Sequence, residues 1–410
     1  MNRFLQLVRV KYPIIQAPML GVTTPEMVAA AVKSGSLGSL PLGGVSPTDS
    51  LKLIQQTKQL INQNNNNNEH QQPQPFAVNL FTYTPSKYES IDPHRIDQMK
   101  NHIITNTIKI EKKEIKTTEQ LINNNTKYYV GEDLVDVIID QGIKIVSFTF
   151  GVLSLQSIKR LRDDGCVLIG TATSVQEALY LERYGGVDII CAQGYEAGGH
   201  RGSFLSVSNP NNIIQGGDFE YKDLPKVGLM SLLAQIVDNV SPDIPVIAAG
   251  GLVDGRSCSA AFTLGASAVQ LGTVLLTSKE SSAQYKSSII KCHHKETTTS
   301  LTRSFSGRYA RGIPNRFMEE MDKPSSPSPL PYPFQLKLVS SIRSLAADKT
   351  TDNTDYISQW AGQNMSKCGT NNNHSTYDIL TNIITDLNLN NNNNNNSKQT
   401  TTKDSNNLVY

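Results

Sequence analysis

The chain has 410 residues, and its 38 lysine and arginine residues nearly balance its 36 aspartate and glutamate residues, for a formal net charge of +2. This balance gives no electrostatic reason to expect a nucleic acid or an anionic membrane surface as a partner. The longest apolar runs are far shorter than the ~20 residues of a membrane-spanning helix, and the basic N-terminus lacks the apolar region of a cleaved presequence. We therefore expect a cytoplasmic protein.

The cysteines indicate neither a disulfide framework nor a metal site. Five are scattered at positions 166, 191, 258, 292 and 368, and no CxxC pair is present. Zinc sites and disulfide-rich domains show paired spacings that are missing here. We predict that Cys191 and Cys258 are small buried apolar residues and that no metal is bound.

Eight strand-like apolar runs alternate with helical stretches along the chain. The runs cover residues 14–17, 37–40, 76–80, 145–148, 167–170, 187–192, 246–249 and 268–272. Most are continuously apolar, as expected of parallel strands that are covered on both faces. Helical stretches follow nearly every run and include residues 25–34, 154–164, 174–184 and 256–264. The pattern predicts an α/β protein with a (β/α)8 TIM barrel rather than an open sheet.

Three polar segments interrupt this alternation. An Asn-rich insertion lies near residues 62–74, a charged and polar insertion near 109–127, and an Asn-rich tail at 367–410. Such compositions cannot bury a core, so we expect surface insertions without catalytic residues and a disordered tail. The predicted organisation is a barrel over residues 1–290 and a smaller helical lobe over 291–366 beside the barrel mouth.

The active site of a (β/α)8 barrel lies at the carboxyl ends of its strands. After the first predicted strand come Pro18, Met19 and Leu20, where a flat ring could lie against the backbone and Met19 could cover it. The third strand carries Asn79, whose amide could face a ligand. Taken alone, the first feature could equally be a plain turn, and the amide could be hydrogen-bonded within the core.

Paired glycines end the seventh and eighth predicted strands. They occur in Gly250-Gly251 and in Gln270-Leu271-Gly272-Thr273. Free backbone N–H groups at such pairs, together with the Thr273 hydroxyl, predict a phosphate site. The alternative is that the glycines only end the strands. The sequence contains neither a GxGxxG dinucleotide motif opening a βαβ unit nor a GxxxxGK[ST] loop.

Of the seven histidines, only His200 lies in a glycine-framed loop at a predicted strand end, in "GYEAGGHRG". Gln193, just before this loop, could bind the polar edge of a heterocycle, and Gly198 would let a ring or phosphate approach. An imidazole that titrates near neutrality can move a proton on or off carbon. The alternative is a structural loop histidine.

Taken in order, these segments resemble the nitronate monooxygenase family. The resemblance runs through "YPIIQAPMLG", "FAVNLF", "CAQGYEAGGHRG", "IPVIAAGGLVDG", "SFSGRYARGIPNRF" and "WAGQ", and it covers most of residues 12–364. It implies a TIM barrel that binds FMN without a covalent bond and oxidises alkyl nitronates, such as propionate 3-nitronate, with O2. The implied route passes through a flavin semiquinone to a carbonyl compound and nitrite, which would detoxify nitro compounds.

The resemblance also implies residue roles. His200 would be the catalytic base, needed mainly for neutral nitroalkanes that must first lose an α-proton, and Ser306 would reach the same pocket. Arg308 and Arg311 would be structural or gating residues. The implied FMN contacts are Pro18, Met19, Leu20, Asn79, Gln193, Gly198, Gly250 and Gly251, with Gln270, Leu271, Gly272 and Thr273 at the phosphate.

Other functions remain open at this stage. A flavin-dependent enoyl-thioester reductase or quinone reductase of the same superfamily would use NAD(P)H, and a barrel could bind FMN without catalysis. "SGRYARGIPNRF" and "WAGQ" favour the nitronate enzyme, and His200 between glycines favours catalysis. The expected partners are a small nitronate and O2, with no nucleic acid and no membrane, and the sequence is compatible with a homodimer.

Overall fold

The computed structural model describes residues 2–64, 74–82, 91–108, 128–208, 220–292, 298–346, 353–369 and 373–387. Most of the predicted Asn-rich insertion, the whole polar insertion at 109–127 and residues 388–410 of the predicted tail lie outside the described residues. Within the described part of the chain, no helix is long and apolar enough to cross a membrane.

Eight parallel strands form the central sheet. They are Ile14–Gln16, Ser39–Pro41, Ala77–Phe81, Ile145–Thr149, Val167–Ala172, Ile189–Gln193, Val246–Ala249 and Ala268–Leu271. From the second strand to the eighth, neighbours in this order pair with one another, and the eighth strand pairs with the first. A parallel bridge from Ile15 to Leu37 closes the ring between the first and second strands. The predicted (β/α)8 barrel is therefore confirmed.

Helices surround the sheet because amphipathic segments follow the strands, and several of these segments begin with a capping side chain. The α-helices are Arg3–Val8, Pro25–Lys33, Pro47–Asn64, Pro93–His102, Val135–Asp140, Leu155–Asp163, Val175–Tyr184, Leu229–Asn239, Gly255–Thr263, Ala283–Cys292, Arg316–Met321 and Phe334–Ala346, with a further helix at 376–387. Thr24, Ser154 and Ser174 each accept a hydrogen bond from a backbone N–H of the first turn. These bonds satisfy donors that a helix start otherwise leaves unpaired.

The N-terminal helix Arg3–Val8 closes one end of the barrel. Phe4 and Val8 are fully buried and pack with Ile145, Ile189 and Ala268 inside the ring. The amino ends of the strands are thereby sealed with apolar side chains. The carboxyl ends remain as the open mouth.

A second apolar cluster forms the lobe beside this mouth. It joins Met99 and Ile103 to Phe305, Phe317 and Leu338. Much of the predicted lobe at 291–366 lies here, and residues 91–108, which the sequence grouped with the barrel, also contribute. A small antiparallel sheet of Ser300–Thr302, Ala310–Gly312 and Gly199–His200 attaches the lobe to a barrel loop.

The prediction of a disordered tail is wrong for residues 376–387, which form a helix against the barrel. Leu380, Ile383, Ile384 and Leu387 are buried in the main core. Their spacing places all four on one helical face. Glu280 accepts hydrogen bonds from the backbone N–H and hydroxyl of Thr376 and so anchors the first turn. The Asn-rich flanks obscured this short apolar stripe in the sequence.

Candidate active site

A cavity of about 300 Å³ opens at the carboxyl ends of the barrel strands. Most of the residues that the sequence singled out line it, namely Pro18, Met19, Leu20, Asn79, Gln193, Gly198, His200, Gly250, Gly251, Gln270, Gly272 and Thr273. The side chain of Leu271 does not, because it points outward into the main core. Ser306 lies behind His200 rather than in the cavity wall.

Ser306 fixes the orientation of His200. The Oγ of Ser306 lies 2.8 Å from Nε2 of His200 and is itself held by the backbone of Arg308, at 3.2 Å from its carbonyl oxygen and 3.3 Å from its nitrogen. Ser306 is only 1% exposed. A neutral imidazole keeps one unprotonated nitrogen, so the ring remains a proton acceptor.

Burial, and secondarily the positive charge of Arg308, lower the pKa of His200 from 6.5 to about 3. Taking the imidazolium out of water is unfavourable, and a nearby cation adds repulsion. The ring therefore does not titrate near neutrality, contrary to the sequence-based expectation. It is a neutral base throughout the physiological range.

Three aromatic rings enclose the imidazole and explain its desolvation. The ring centroids of Phe150, Tyr332 and Trp360 lie 6.0, 6.0 and 5.5 Å from that of His200. The guanidinium of Arg308 lies 3.9 Å from the centroid of Phe150, in cation–π geometry. Burial raises the pKa of Tyr332 to about 12, so this residue is a neutral phenol, and its hydroxyl hydrogen-bonds that of Tyr128. No local sequence pattern points to these aromatic neighbours.

The amides of Asn79 and Gln193 are partly committed to the protein itself. Nδ2 of Asn79 donates to Oγ of Ser147 at 2.9 Å. Nε2 of Gln193 donates to the carbonyl oxygen of His200 at 3.0 Å, and its Oε1 accepts from the N–H of Gly202 at 2.8 Å. Gln193 therefore ties the histidine loop to the end of its strand. Both side chains line the cavity, where the amide oxygen of Asn79 can accept a hydrogen bond from a ligand.

The glycine pair after the seventh strand has backbone geometry that other residues rarely adopt. Gly250 and Gly251 have φ values of +121° and +70°. A Cβ at Gly251 would lie 3.0 Å from Cγ of Glu196, and one at Gly250 would lie 3.1 Å from Cβ of Ala197. A side chain is therefore disfavoured at both positions, both by the positive φ and by the close neighbours, and the backbone faces the cavity.

The "WAGQ" segment packs across these glycines and completes the wall. The N–H of Gly362 donates to Oγ1 of Thr273 at 2.9 Å, and Nδ2 of Asn364 donates to the carbonyl oxygen of Gly251 at 2.9 Å. Because the Thr273 oxygen accepts here, its hydroxyl proton remains available to a ligand. Asn364 lines the cavity and was missed by the sequence analysis.

The cavity is lined by neutral groups. Among the described residues, no aspartate, glutamate, lysine or arginine contributes to the lining. The same part of the chain contains no group of three or more side chains suited to hold a metal ion. Backbone N–H groups, amides, hydroxyls, aromatic rings and one imidazole are what this site offers to a ligand.

Comparisons with known proteins agree with this architecture. A family model described as nitronate monooxygenase matches residues 2–386. A probable nitronate monooxygenase of Staphylococcus aureus (strain Newman) is 39% identical over 396 residues, which cover 94% of this chain and 97% of that protein. The structure of a nitroalkane oxidase from Streptomyces ansochromogenes has a TM-score of 0.74 at 28% identity and covers 94% of this chain and 98% of its own. FabK from Thermotoga maritima shares the fold, with a TM-score of 0.66 at 24% identity over 97% of this chain and 99% of its own. The chain belongs to the nitronate monooxygenase family of oxidoreductases.

Proposed function

We propose that the chain binds FMN in the barrel-mouth cavity and oxidises alkyl nitronates, such as propionate 3-nitronate, with O2 to a carbonyl compound and nitrite. Family membership supports nitronate oxidation in general. One observation carries the proposal: a neutral, oriented imidazole lines the same cavity as the Gly250-Gly251 turn and Gly272. A flat phosphorylated cofactor and a proton acceptor would meet there.

The residues present fit FMN. Met19 and Leu20 offer apolar surface to an isoalloxazine, and Asn79 offers a neutral amide to its polar edge. At the other side, Gly250, Gly251, Gly272 and Thr273 leave room for a phosphate beside backbone N–H groups and a hydroxyl. No acidic side chain of the described lining would repel that phosphate.

The residues that the sequence singled out as cofactor contacts each take a role in this proposal. The proposed FMN contacts are Pro18, Met19, Leu20, Asn79, Gln193, Gly198, Gly250 and Gly251, with Gln270, the backbone of Leu271, Gly272 and Thr273 at the phosphate. Residues 1–290 are proposed to carry the cofactor, and residues 291–366 to supply the lobe. A cytoplasmic location is proposed because all five cysteines are buried free thiols, as in proteins of reducing compartments.

Bound FMN would supply electron transfer from the substrate and reaction with O2. The protein's own residues bind, orient and move one proton. A nitronate is already an anion and needs no base. A neutral nitroalkane must lose its α-proton, and His200 would accept it while Ser306 holds the ring. The imidazolium then forms beside the nitronate that it has generated, and this opposite charge stabilises it.

Cofactor release and oxygen consumption by the purified protein test this proposal. We expect the full-length protein to release FMN on denaturation, identified by mass, and to consume O2 and form nitrite when propionate 3-nitronate is added. NADH alone should leave the flavin absorption unchanged under anaerobic conditions. Bleaching by NADH without nitronate turnover would indicate a reductase instead. Bound FMN with neither reaction would indicate a non-catalytic barrel, and released FAD would contradict the cofactor assignment.

A further inference from the structure

The cavity continues below its polar ring into the barrel interior. Polar side chains such as Asn79, Thr171 and Gln193 point inward near the mouth. Because side chains alternate along a strand, the residues two positions earlier face the same interior, about 6.6 Å deeper. Six of the deeper cavity-lining residues form what we call the apolar floor: Ile15, Leu37, Ala77, Ile169, Cys191 and Ile247.

The apolar floor is closed from beneath. Its residues belong to the same apolar cluster as Phe4 and Val8 of the N-terminal helix, which are 0% and 1% exposed. The backbone groups of the third and sixth strands are paired along the barrel sheet. A water molecule needs two to four polar partners to be held in a cavity, and cavities lined by aliphatic side chains stay dry. Anything that binds at the floor should be small and apolar.

Cys191 is the only cysteine among the six floor residues, and its buried environment keeps the thiol unreactive. Burial raises the pKa of its thiol to about 12. The nucleophilic form of cysteine is the thiolate, so this sulfur is not a reactive group at physiological pH. Its role in the floor is that of a small, polarisable apolar side chain.

We propose that the apolar floor is a binding site for O2, which occupies it while the nitronate enters from the mouth. The inference rests on the proposed function, because that reaction needs O2 as the second substrate. A nitronate is an anion and FMN carries a phosphate, so neither charged group suits this layer. O2 is small, uncharged and apolar. One strand layer separates the floor from the level of Asn79, which keeps O2 close to a ligand bound there.

Xenon binding tests the site without relying on activity, since xenon enters apolar cavities. Crystals of the full-length protein pressurised with xenon should show xenon between Ala77, Ile169 and Ile247. Ala77→Val should fill the floor and remove this xenon. Ala268→Val is the matched control, because Ala268 is equally buried in the same cluster but does not line the cavity. Absence of xenon from the floor of the unmodified protein would overturn the proposal whatever the activity.

Steady-state kinetics provide the second readout. We expect Ala77→Val to lower kcat/KM for O2 by about fivefold and to change kcat/KM for ethyl nitronate by less than about twofold. In the Ala268→Val control, both kcat/KM values should change by less than about twofold. If Ala77→Val instead impairs only long-chain nitronates such as hexyl nitronate, the floor holds the substrate chain and the proposal is overturned. If neither the unmodified protein nor any variant forms nitrite, the proposed function is refuted. The xenon experiment separates that result from failure of the floor proposal, because xenon binding does not depend on activity.

Discussion

His200 and Ala310 are register partners in a short antiparallel sheet, so the backbone of the proposed base is held by the lobe as well as by the barrel. The next pair in this register joins Gly199 to Arg311. Ser306, a few residues before Ala310, holds the imidazole at 2.8 Å. The lobe therefore positions both the main chain and the ring of His200, while the barrel strands supply the rest of the cavity. Proton transfer should depend on this junction more than nitronate oxidation does.

Replacing the imidazole should separate the two classes of substrate. We expect His200→Asn to lower kcat/KM for nitroethane by about 100-fold or more, because the α-proton loses its acceptor. For ethyl nitronate, which needs no deprotonation, the change should stay below about threefold. Rates of O2 consumption with each substrate measure the difference, and flavin content serves as the control. Unchanged oxidation of nitroethane would contradict the assignment of His200 as the base.

Removing the hydroxyl behind the ring should give a smaller effect of the same kind. Ser306→Ala leaves the imidazole without its side-chain anchor, and a misplaced base transfers protons slowly. We expect kcat for nitroethane to fall by about tenfold, with KM nearly constant and ethyl nitronate unaffected. Ser259→Ala is the control, since the buried hydroxyl of Ser259 has no hydrogen-bond partner within the described part of the chain. Equal losses for both substrates would indicate a purely structural role for Ser306.

Burial of neutral His200 should also make stability depend on pH. In the unfolded chain the imidazole takes up a proton near pH 6.5, whereas in the folded protein it does so only near pH 3. Between these values the unfolded state binds more protons, so the free energy of unfolding falls as the pH falls. We expect a loss of about 1–2 kcal/mol from this group between about pH 6.5 and pH 5. Urea unfolding at a series of pH values measures this loss. In His200→Asn, the free energy of unfolding should fall less steeply with falling pH. Identical slopes would contradict the prediction.

The glycine turn after the seventh strand should be required for flavin binding. Gly251→Ala forces a methyl group towards Glu196 in a backbone conformation that alanine disfavours. Gly165→Ala is a matched control, because Gly165 has φ +76° and a Cβ at this position would meet no atom within 4 Å. Both changes should destabilise the fold by about 1 kcal/mol. Only Gly251→Ala should weaken FMN binding, raising the Kd for FMN by at least about tenfold, as measured by flavin fluorescence. Equal flavin retention in both variants would contradict a role for this turn.

The barrel could be predicted from sequence because strands covered on both faces are continuously apolar. The first predicted strand, 14–17, corresponds to Ile14–Gln16, and the sixth, 187–192, corresponds to Ile189–Gln193. Strand ends also carry the site in this fold, so Asn79 and Gly250 could be found by their position alone. The outward direction of the Leu271 side chain could have been predicted too. This residue follows Gln270 on the same strand, and adjacent strand residues face opposite sides of the sheet.

The surroundings of His200 could not be predicted in this way. Tyr332 and Trp360 meet the imidazole where the lobe packs against the barrel, and Phe150 reaches it from the end of the fourth strand. No local pattern links positions so far apart in the chain. The same packing desolvates the ring and lowers its pKa, so the titration of His200 does not follow from its residue type. A residue's type gives its ordinary pKa, whereas its burial depends on tertiary contacts.

The helix at residues 376–387 should contribute to the stability of the barrel, although its composition suggested disorder. Leu380 and Ile383 are 0% and 4% exposed. A side chain at Gly255 would collide with Asp386, so this helix lies directly against the start of Gly255–Thr263. We expect Leu380→Ala and Ile383→Ala each to lower the free energy of unfolding by about 2–4 kcal/mol, because each leaves a cavity in the main core. Asn382→Ala, on the exposed face, should change it by less than about 0.5 kcal/mol. Urea denaturation compares the three, and equal stabilities would mean that the packed face contributes nothing to the fold.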